Sequence, residues 1–300
     1  MPRGQPFTAM CAALARPPFA GQADLHGHTT ASDGTWSPVR YLAEARKAGL
    51  AWVAITDHDT VAGALEAQTF CQPDGPRLLL GVEITARHMD RDTHVLAYQF
   101  DSINPKLCGL LEEMRCRRHR RHKARLDALA RRGIHLPDAP VPEVPGRRHL
   151  AQALAEAGLA NSLQDSFRRY RSEFSSGAPD SGGIPMIEVL AAVNDAGGKA
   201  VLAHPPQGTT LEGLRTLKGW GLAGLEAFYP DFSRSWTSTL RAWARALGLG
   251  LTGGSDCHGV VPRVPGYRNI DPALAEWLWD SGGNRSSSGG MPCLALSGAN

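Results

Sequence analysis

Three hundred residues, at about 150 per domain, allow two compact units or one barrel-sized unit carrying an insertion. With 42% hydrophobic and 20% charged residues the chain can bury a sizeable core, which excludes wholesale disorder. A net charge of +3 is too mild to mark a nucleic-acid or membrane protein by itself, and no run of eighteen apolar residues exists to span a membrane.

Residues 1–20 read as a Pro-rich lead-in. Arg3 followed by the apolar stretch 7–15 loosely imitates an export signal, but the stretch is short and weakly flanked, so the expected compartment is the cytoplasm. The six cysteines (Cys11, Cys71, Cys108, Cys116, Cys257 and Cys293) form no C-x-x-C pair and fall far below disulfide-scaffold density, so they are expected as reduced thiols. Residues 24–28 read as a strand end. Residues 38–48 read as a helix, with Ser37 as N-cap, Pro38 at the first helical position and Gly49 just past the end. A strand at 50–56, a helix at 60–70 and strands at 78–84 and 93–100 follow.

The pattern then changes. Residues 103–183 carry no convincing strand and hold an Arg-rich helical block at 115–132, a Pro-rich break at 136–145, helices at 147–157 and 162–174, and a Ser/Gly/Pro linker at 175–183. Alternation resumes with helices at 186–196, 210–219 and 233–247 and strands at 199–203, 222–228 and 249–253. The simplest account is an α/β barrel over 21–102 and 184–272, interrupted by a helical insertion over 103–183. The C-terminal segment, 273–300, ends in a Ser/Gly-rich stretch expected to be disordered.

Candidate chemistry collects where predicted strands end. His26 and His28 are two apart on one strand, so both imidazoles project from one face, a spacing that suits two ligands on one metal ion. Asp33, His58, Glu83, His94, His204, Asp256 and His258 fall at later strand ends, in the loops just beyond, or early in a strand. In a barrel those ends converge on one face. Any one of the nine reads equally well as a cap, a turn former or a hydrogen-bonded core residue. Convergence of nitrogen and oxygen donors argues for a metal site. Asp57 and Asp59 flank His58 and are expected to orient imidazoles. Cys257, between two candidate ligands, should face away and pack.

These residues lie in motifs. Asp24-Leu25-His26-Gly27-His28, Ser32-Asp33-Gly34, Ile55-Thr56-Asp57-His58-Asp59-Thr60, Gly81-Val82-Glu83-Ile84, Leu202-Ala203-His204-Pro205 and Gly254-Ser255-Asp256-Cys257-His258-Gly259 resemble those of the polymerase-and-histidinol-phosphatase (PHP) phosphoesterases, over about residues 22–260. Arg147-Arg148-His149-Leu150-Ala151 in the insertion is similar to the branch of nucleoside 3',5'-bisphosphate phosphatases that also act as 5'-to-3' exoribonucleases on short RNA. The resemblance implies a distorted seven-stranded (β/α)7 TIM-like barrel with two or three divalent ions. His26, His28, Glu83 and Asp256 would hold the first; Glu83, His94 and His204 the second; Asp33, His58 and His258 the third. Glu83, Asp256 and His204 would be catalytic through those ions, with His88 a competitor for the place of His94. The mixed donor set suits manganese, iron or zinc, and the resemblance favours manganese.

Arg147, Arg148 and His149 would then hold a second, non-reacting phosphate, since guanidinium groups grip phosphate bidentately. Most of the 115–132 block is expected as a solvated face, with one or two residues turned towards substrate. Trp36 could stack on a base or pack in the core. The expected partner is a nucleotide or short RNA, with no membrane and no obligate protein partner. Competing readings are a phosphatase of AMP or histidinol phosphate, an amidohydrolase or deaminase, whose barrels also open with His-x-His, and a non-catalytic metal-binding module.

Overall fold

The computed structural model describes residues 21–137, 140–177 and 182–279; the lead-in over 1–20, residues 178–181 of the linker and the tail from 280 lie outside them. The chain forms β1 (Ala23–Asp24), α1 (Pro38–Lys47), β2 (Trp52–Ile55), α2 (Ala62–Gln68), β3 (Arg77–His88) and β4 (Arg91–Tyr98). A stretch containing only helices follows: α3 (Pro105–Ala130), α4 (Arg147–Glu156), α5 (Leu163–Arg169) and α6 (Arg171–Phe174). Then come β5 (Ile184–Pro185), α7 (Met186–Asp195), β6 (Lys199–Leu202), α8 (Leu211–Gly219), β7 (Gly224–Phe228), α9 (Arg234–Leu247), β8 (Gly250–Gly253) and a 3-10 helix at Pro272–Leu278. Local chemistry fixes several ends as expected. Ser37 Oγ accepts from Arg40 N ahead of Pro38, and Gly248 closes α9 in the left-handed conformation.

Seven strands run in the order β1-β2-β3-β4-β6-β7-β8, with β5 pairing β3 off this path. The neighbours β1, β2 and β3 are parallel, as are β6, β7 and β8. The departure from an all-parallel barrel is β4, antiparallel to both β3 and β6. Only Met89 and Asp90 separate β3 from β4, both at positive φ, and so short a link can only return the chain antiparallel. The sheet nearly closes: Ala23 and Ile270 exchange N–H···O bonds of 2.9 Å, Leu25 N donates to Gly253 O (3.1 Å) and His28 N to Cys257 O (2.8 Å).

The 3-10 helix packs at the N-terminal ends of the strands. Trp279 stacks on Trp52, the first residue of β2, at 4.3 Å. Trp277 donates to Leu251 O and lies on Gly224 and Gly250, the first residues of β7 and β8. A Cβ on Gly250 would meet the indole at 2.0 Å, so only glycine permits this approach. The opposite, C-terminal face is left for loops. The insertion carries its own apolar cluster (Leu129, Leu150, Leu154, Tyr170 and Phe174 among others), while Leu107, Leu111 and Met114 from the first half of α3 join the barrel core. α3 therefore ties the helices to the barrel.

Trp36 is buried in a core cluster beneath the Arg40 guanidinium, so its packing role holds and base stacking there does not. Cys257 is fully buried. Cys71, Cys116 and Cys257 are free thiols. Among the described residues no helix is long and apolar enough to cross a membrane.

Candidate metal centre and its cleft

His26 and His28 leave β1 on extended chain, held by the bridge between Gly27 and Cys257, and both are fully buried. Asp33 sits in the turn after them. That turn is pinned by Asp57, whose carboxylate accepts from Thr29 N (2.7 Å), Thr29 Oγ1 (2.7 Å) and Ser32 Oγ (2.6 Å). His58 follows β2, Glu83 lies within β3, His94 within β4, His204 after β6, and Asp256 and His258 after β8.

Glu83 is the hub. Its carboxylate lies 2.8 Å from His58 Nδ1, 2.9 Å from His94 Nδ1, 3.0 Å from His204 Nε2, 3.4 Å from His28 Nε2 and 3.5 Å from His26 Nε2. Asp256 Oδ1 stands 3.1 Å from His28 Nε2 and 3.6 Å from His26 Nε2. Asp33 Oδ1 is 3.3 Å from His258 Nε2 and 3.9 Å from His58 Nε2. All nine sequence-derived donors are thus gathered, in four overlapping groups: His28–Asp33–His58–His258, His26–His28–Asp256, His26–Glu83–His204 and His58–Glu83–His94. His88 is elsewhere, edge-on to Trp220.

Several of these atoms are buried without a hydrogen bond: His26 Nε2, both ring nitrogens of His28, His58 Nδ1, Asp33 Oδ1 and Glu83 Oε2. Buried polar atoms in folded proteins are normally satisfied, so a cluster of inward-facing unsatisfied donors suits cation ligands. Electrostatics prepares His28 and the carboxylates for that, while burial would lower His26 and His258 but neighbouring carboxylates raise both. Burial, helped by His258 and His58, pushes His28 down to about 3, which keeps it neutral with a free lone pair. Burial would raise Asp33 and Glu83, but the neighbouring imidazoles hold both well below the usual carboxylate range. Three residues here hold positive φ without being glycine: Asp59 (49°), His204 (26°) and Asp256 (50°), a strain of the kind that functional sites retain.

Sequence reasoning missed Glu226. Fully buried on β7, it places Oε1 2.8 Å from His26 Nδ1 and accepts His204 N–H on Oε2 at 2.7 Å. The signal was a lone carboxylate in the apolar strand Gly224-Leu225-Glu226-Ala227-Phe228, which has to find a partner when buried. The imidazole-orienting role expected of Asp57 and Asp59 belongs to Glu226. Asp57 holds the Asp33 turn, and Asp59 accepts from Thr85 N (2.7 Å), Thr85 Oγ1 (2.8 Å) and Arg118 Nε (2.5 Å). Tyr229 was missed as well. Its hydroxyl donates to Asp256 Oδ2 at 2.8 Å, leaving Oδ1 turned to the histidines.

The cluster opens into a cleft of about 1000 Å³. Asp33, His58, His94, His204 and His258 lie on its barrel side, and Arg118, Arg121, Arg125, Arg147 and Arg148 line it from the insertion. Arg118 pairs with Asp59, Arg121 with Asp92 at 2.7 Å, and Arg125 Nε donates to Phe174 O. Arg147 and Arg148 have no ion pair among the described residues. His149 does not line the cleft. Its Nδ1 accepts from Gly146 N at 3.0 Å, closing the start of α4.

Residues 24–176 match the PHP domain family. A 5'-3' exoribonuclease of Haemophilus influenzae is 31% identical over 261 residues, 83% of this chain and 94% of that protein. A phosphoribosyl 1,2-cyclic phosphate 1,2-diphosphodiesterase of Eggerthella lenta is 32% identical, over 82% of this chain and 98% of its own length. A 3',5'-nucleoside bisphosphate phosphatase of Chromobacterium violaceum is 28% identical, over 85% of this chain and 94% of its own length. A crystal structure of a candidate metal-dependent phosphoesterase from Bifidobacterium adolescentis superposes with a TM-score of 0.76 at 33% identity, covering 88% of this chain and 96% of that one.

Proposed function

The chain belongs to the PHP-domain family of phosphoesterases, and from that premise we propose that it releases phosphate from nucleoside 3',5'-bisphosphates and trims short RNA from the 5' end. One observation carries this reading. Nine metal-type donors converge on one side of a cleft whose opposite wall holds arginines, two of them without a carboxylate partner. A substrate with two phosphate groups, one at each side, matches that charge distribution.

His26, His28, Glu83 and Asp256, then Glu83 with His94 and His204, then Asp33 with His58 and His258, would hold divalent ions, with manganese favoured. When bound, such ions lower the pKa of water and offset charge on phosphate. The protein's own part is positional. Glu226 aims the His26 ring, Tyr229 fixes Asp256, and Asp57 fixes the turn bearing Asp33. Arg147 and Arg148 receive the phosphate that is not hydrolysed, and charge-assisted bonds from a planar fork suit that task. A deaminase reading is not favoured, because no lysine lines the cleft among the described residues and Glu83 would take the bridging place instead. We place the enzyme in the cytoplasm, acting without an obligate protein partner.

The test is phosphate release by manganese-loaded protein from adenosine 3',5'-bisphosphate and from 5'-AMP at equal concentration. Strong preference for the bisphosphate is expected. Equal or faster turnover of AMP would move the assignment to a general nucleotide phosphatase and reduce Arg147 and Arg148 to surface residues.

A further inference from the structure

The cleft holds more than two phosphates require, and part of its lining is not charged. Phe167 on α5 and Phe174 on α6 line it, the two phenylalanines being its only aromatic residues other than histidine among the described residues. Their rings lie 4.9 Å apart at 45°. Phe174 is buried in the insertion's own apolar cluster, and its backbone carbonyl accepts from Arg125 Nε at 3.1 Å, so the chain at Phe174 is tied to the arginine wall. Phe167 is only half-buried, packed against that cluster with part of its surface on the cleft. Trp36 is withdrawn into the core and unavailable.

We infer that Phe167, backed by Phe174, is the platform on which the nucleobase of the substrate stacks. The inference rests on the nucleotide reading above and adds to it the subsite for the base. A nucleoside bisphosphate has two anionic groups and one flat, weakly polar part. The histidine–carboxylate side and the arginine wall account for the anions, and the phenylalanine pair is the aromatic surface that the described residues leave to receive the base. Stacking on an aromatic ring is tolerant of base identity, because every base has a π-face. The subsite therefore recognises that a base is present, whichever base it is. Because Phe174 and Arg125 hold the platform in place before substrate arrives, little ordering opposes binding.

The experiment compares adenosine 3',5'-bisphosphate with ribose 3,5-bisphosphate, which carries the same phosphates and no base. Equilibrium binding to metal-free protein is measured for wild type, Phe167→Ala and Phe167→Tyr, and KM and kcat are measured for the manganese-loaded forms. Wild type should bind the nucleoside ligand about tenfold more tightly than the base-free one, the size of one base–aromatic stack. Phe167→Ala should abolish that difference through the nucleoside ligand alone, raising its KM with kcat retained, and Phe167→Tyr should restore it. Equal binding of the two ligands by wild type, binding of neither, or an equal loss on both in Phe167→Ala overturns the inference. The two readings fail separately. Base-dependent binding without phosphate release would remove the hydrolytic assignment and leave the subsite, whereas bisphosphate turnover indifferent to the base would do the reverse.

Discussion

Glu226 Oε1 lies 2.8 Å from His26 Nδ1, and the same carboxylate accepts the backbone N–H of His204 on its other oxygen. One buried residue on β7 thus sets the ring orientation of one candidate ligand and the chain position of another, across the barrel. Partners of this kind fix the orientation of a ligating ring and raise its basicity. Glu226→Ala is expected to weaken manganese binding about 10- to 100-fold, measured by chelator competition. Glu226→Gln keeps the shape but only one acceptor, and should fall between. Unchanged affinity in both variants would mean that Glu226 only fills space.

Much of the site was readable from residue types because ligand chemistry tolerates few substitutes. A His-x-His pair, a carboxylate at a strand end and an Asp-x-His after a glycine each carry their meaning in the side chain. What stayed hidden depends on context. Glu226 looks like any strand residue until burial asks what it bonds. Thr85, Ala86, Arg87 and His88 fall outside the strand expected at 78–84 because the Met89-Asp90 turn lacks the Asn-Gly type of signal, so β3 runs four residues past its expected end at Ile84. His149 was expected at the substrate. It stands at the start of α4, where its Nδ1 accepts from Gly146 N three residues earlier, a capping contact that competes with any role at the substrate.

Arg118 and Asp59 form a buried ion pair between the insertion and the barrel, Nε to Oδ2 at 2.5 Å, with Thr85 satisfying both partners. Removing one member leaves the other charge buried and unpaired, which costs about 3–5 kcal/mol. Arg118→Met should therefore lower unfolding free energy by that order in urea titration, and adding Asp59→Asn should recover part of the loss. Equal stability of Arg118→Met and wild type would show that water reaches Asp59 and that the pair does not bind the two parts together.

Arg148 lines the cleft and has no carboxylate to neutralise it among the described residues. If it receives the phosphate that is not cleaved, Arg148→Ala should raise KM for adenosine 3',5'-bisphosphate about tenfold while leaving AMP turnover within a factor of two, since a charged hydrogen bond contributes about 1.5–3 kcal/mol. Arg148→Lys should recover little, because a point charge does not reproduce the planar fork. Steady-state kinetics on the two substrates decides it. Parallel losses on both would place Arg148 near the reacting phosphate instead.

Metal removal tests the cluster without reference to any substrate. Six buried polar atoms of its ligands lack hydrogen bonds, so the metal-free fold carries an unfavourable site that a cation relieves. A ligand that binds only the folded chain stabilises it by about 2.7 kcal/mol at a concentration 100 times its Kd. Manganese added to chelator-treated protein should raise Tm by about 5 °C, read by scanning calorimetry. His204→Ala takes away one donor and leaves the other eight, so it should fold normally, keep part of the manganese-dependent rise and lose most of its phosphoesterase activity. His88→Ala, from the ring packed on Trp220, should keep the full rise, since that imidazole lies outside all four donor groups. A wild-type protein whose Tm ignores manganese, zinc and iron alike would require those unsatisfied nitrogens and oxygens to be bridged by water, and the metal assignment would fall with it.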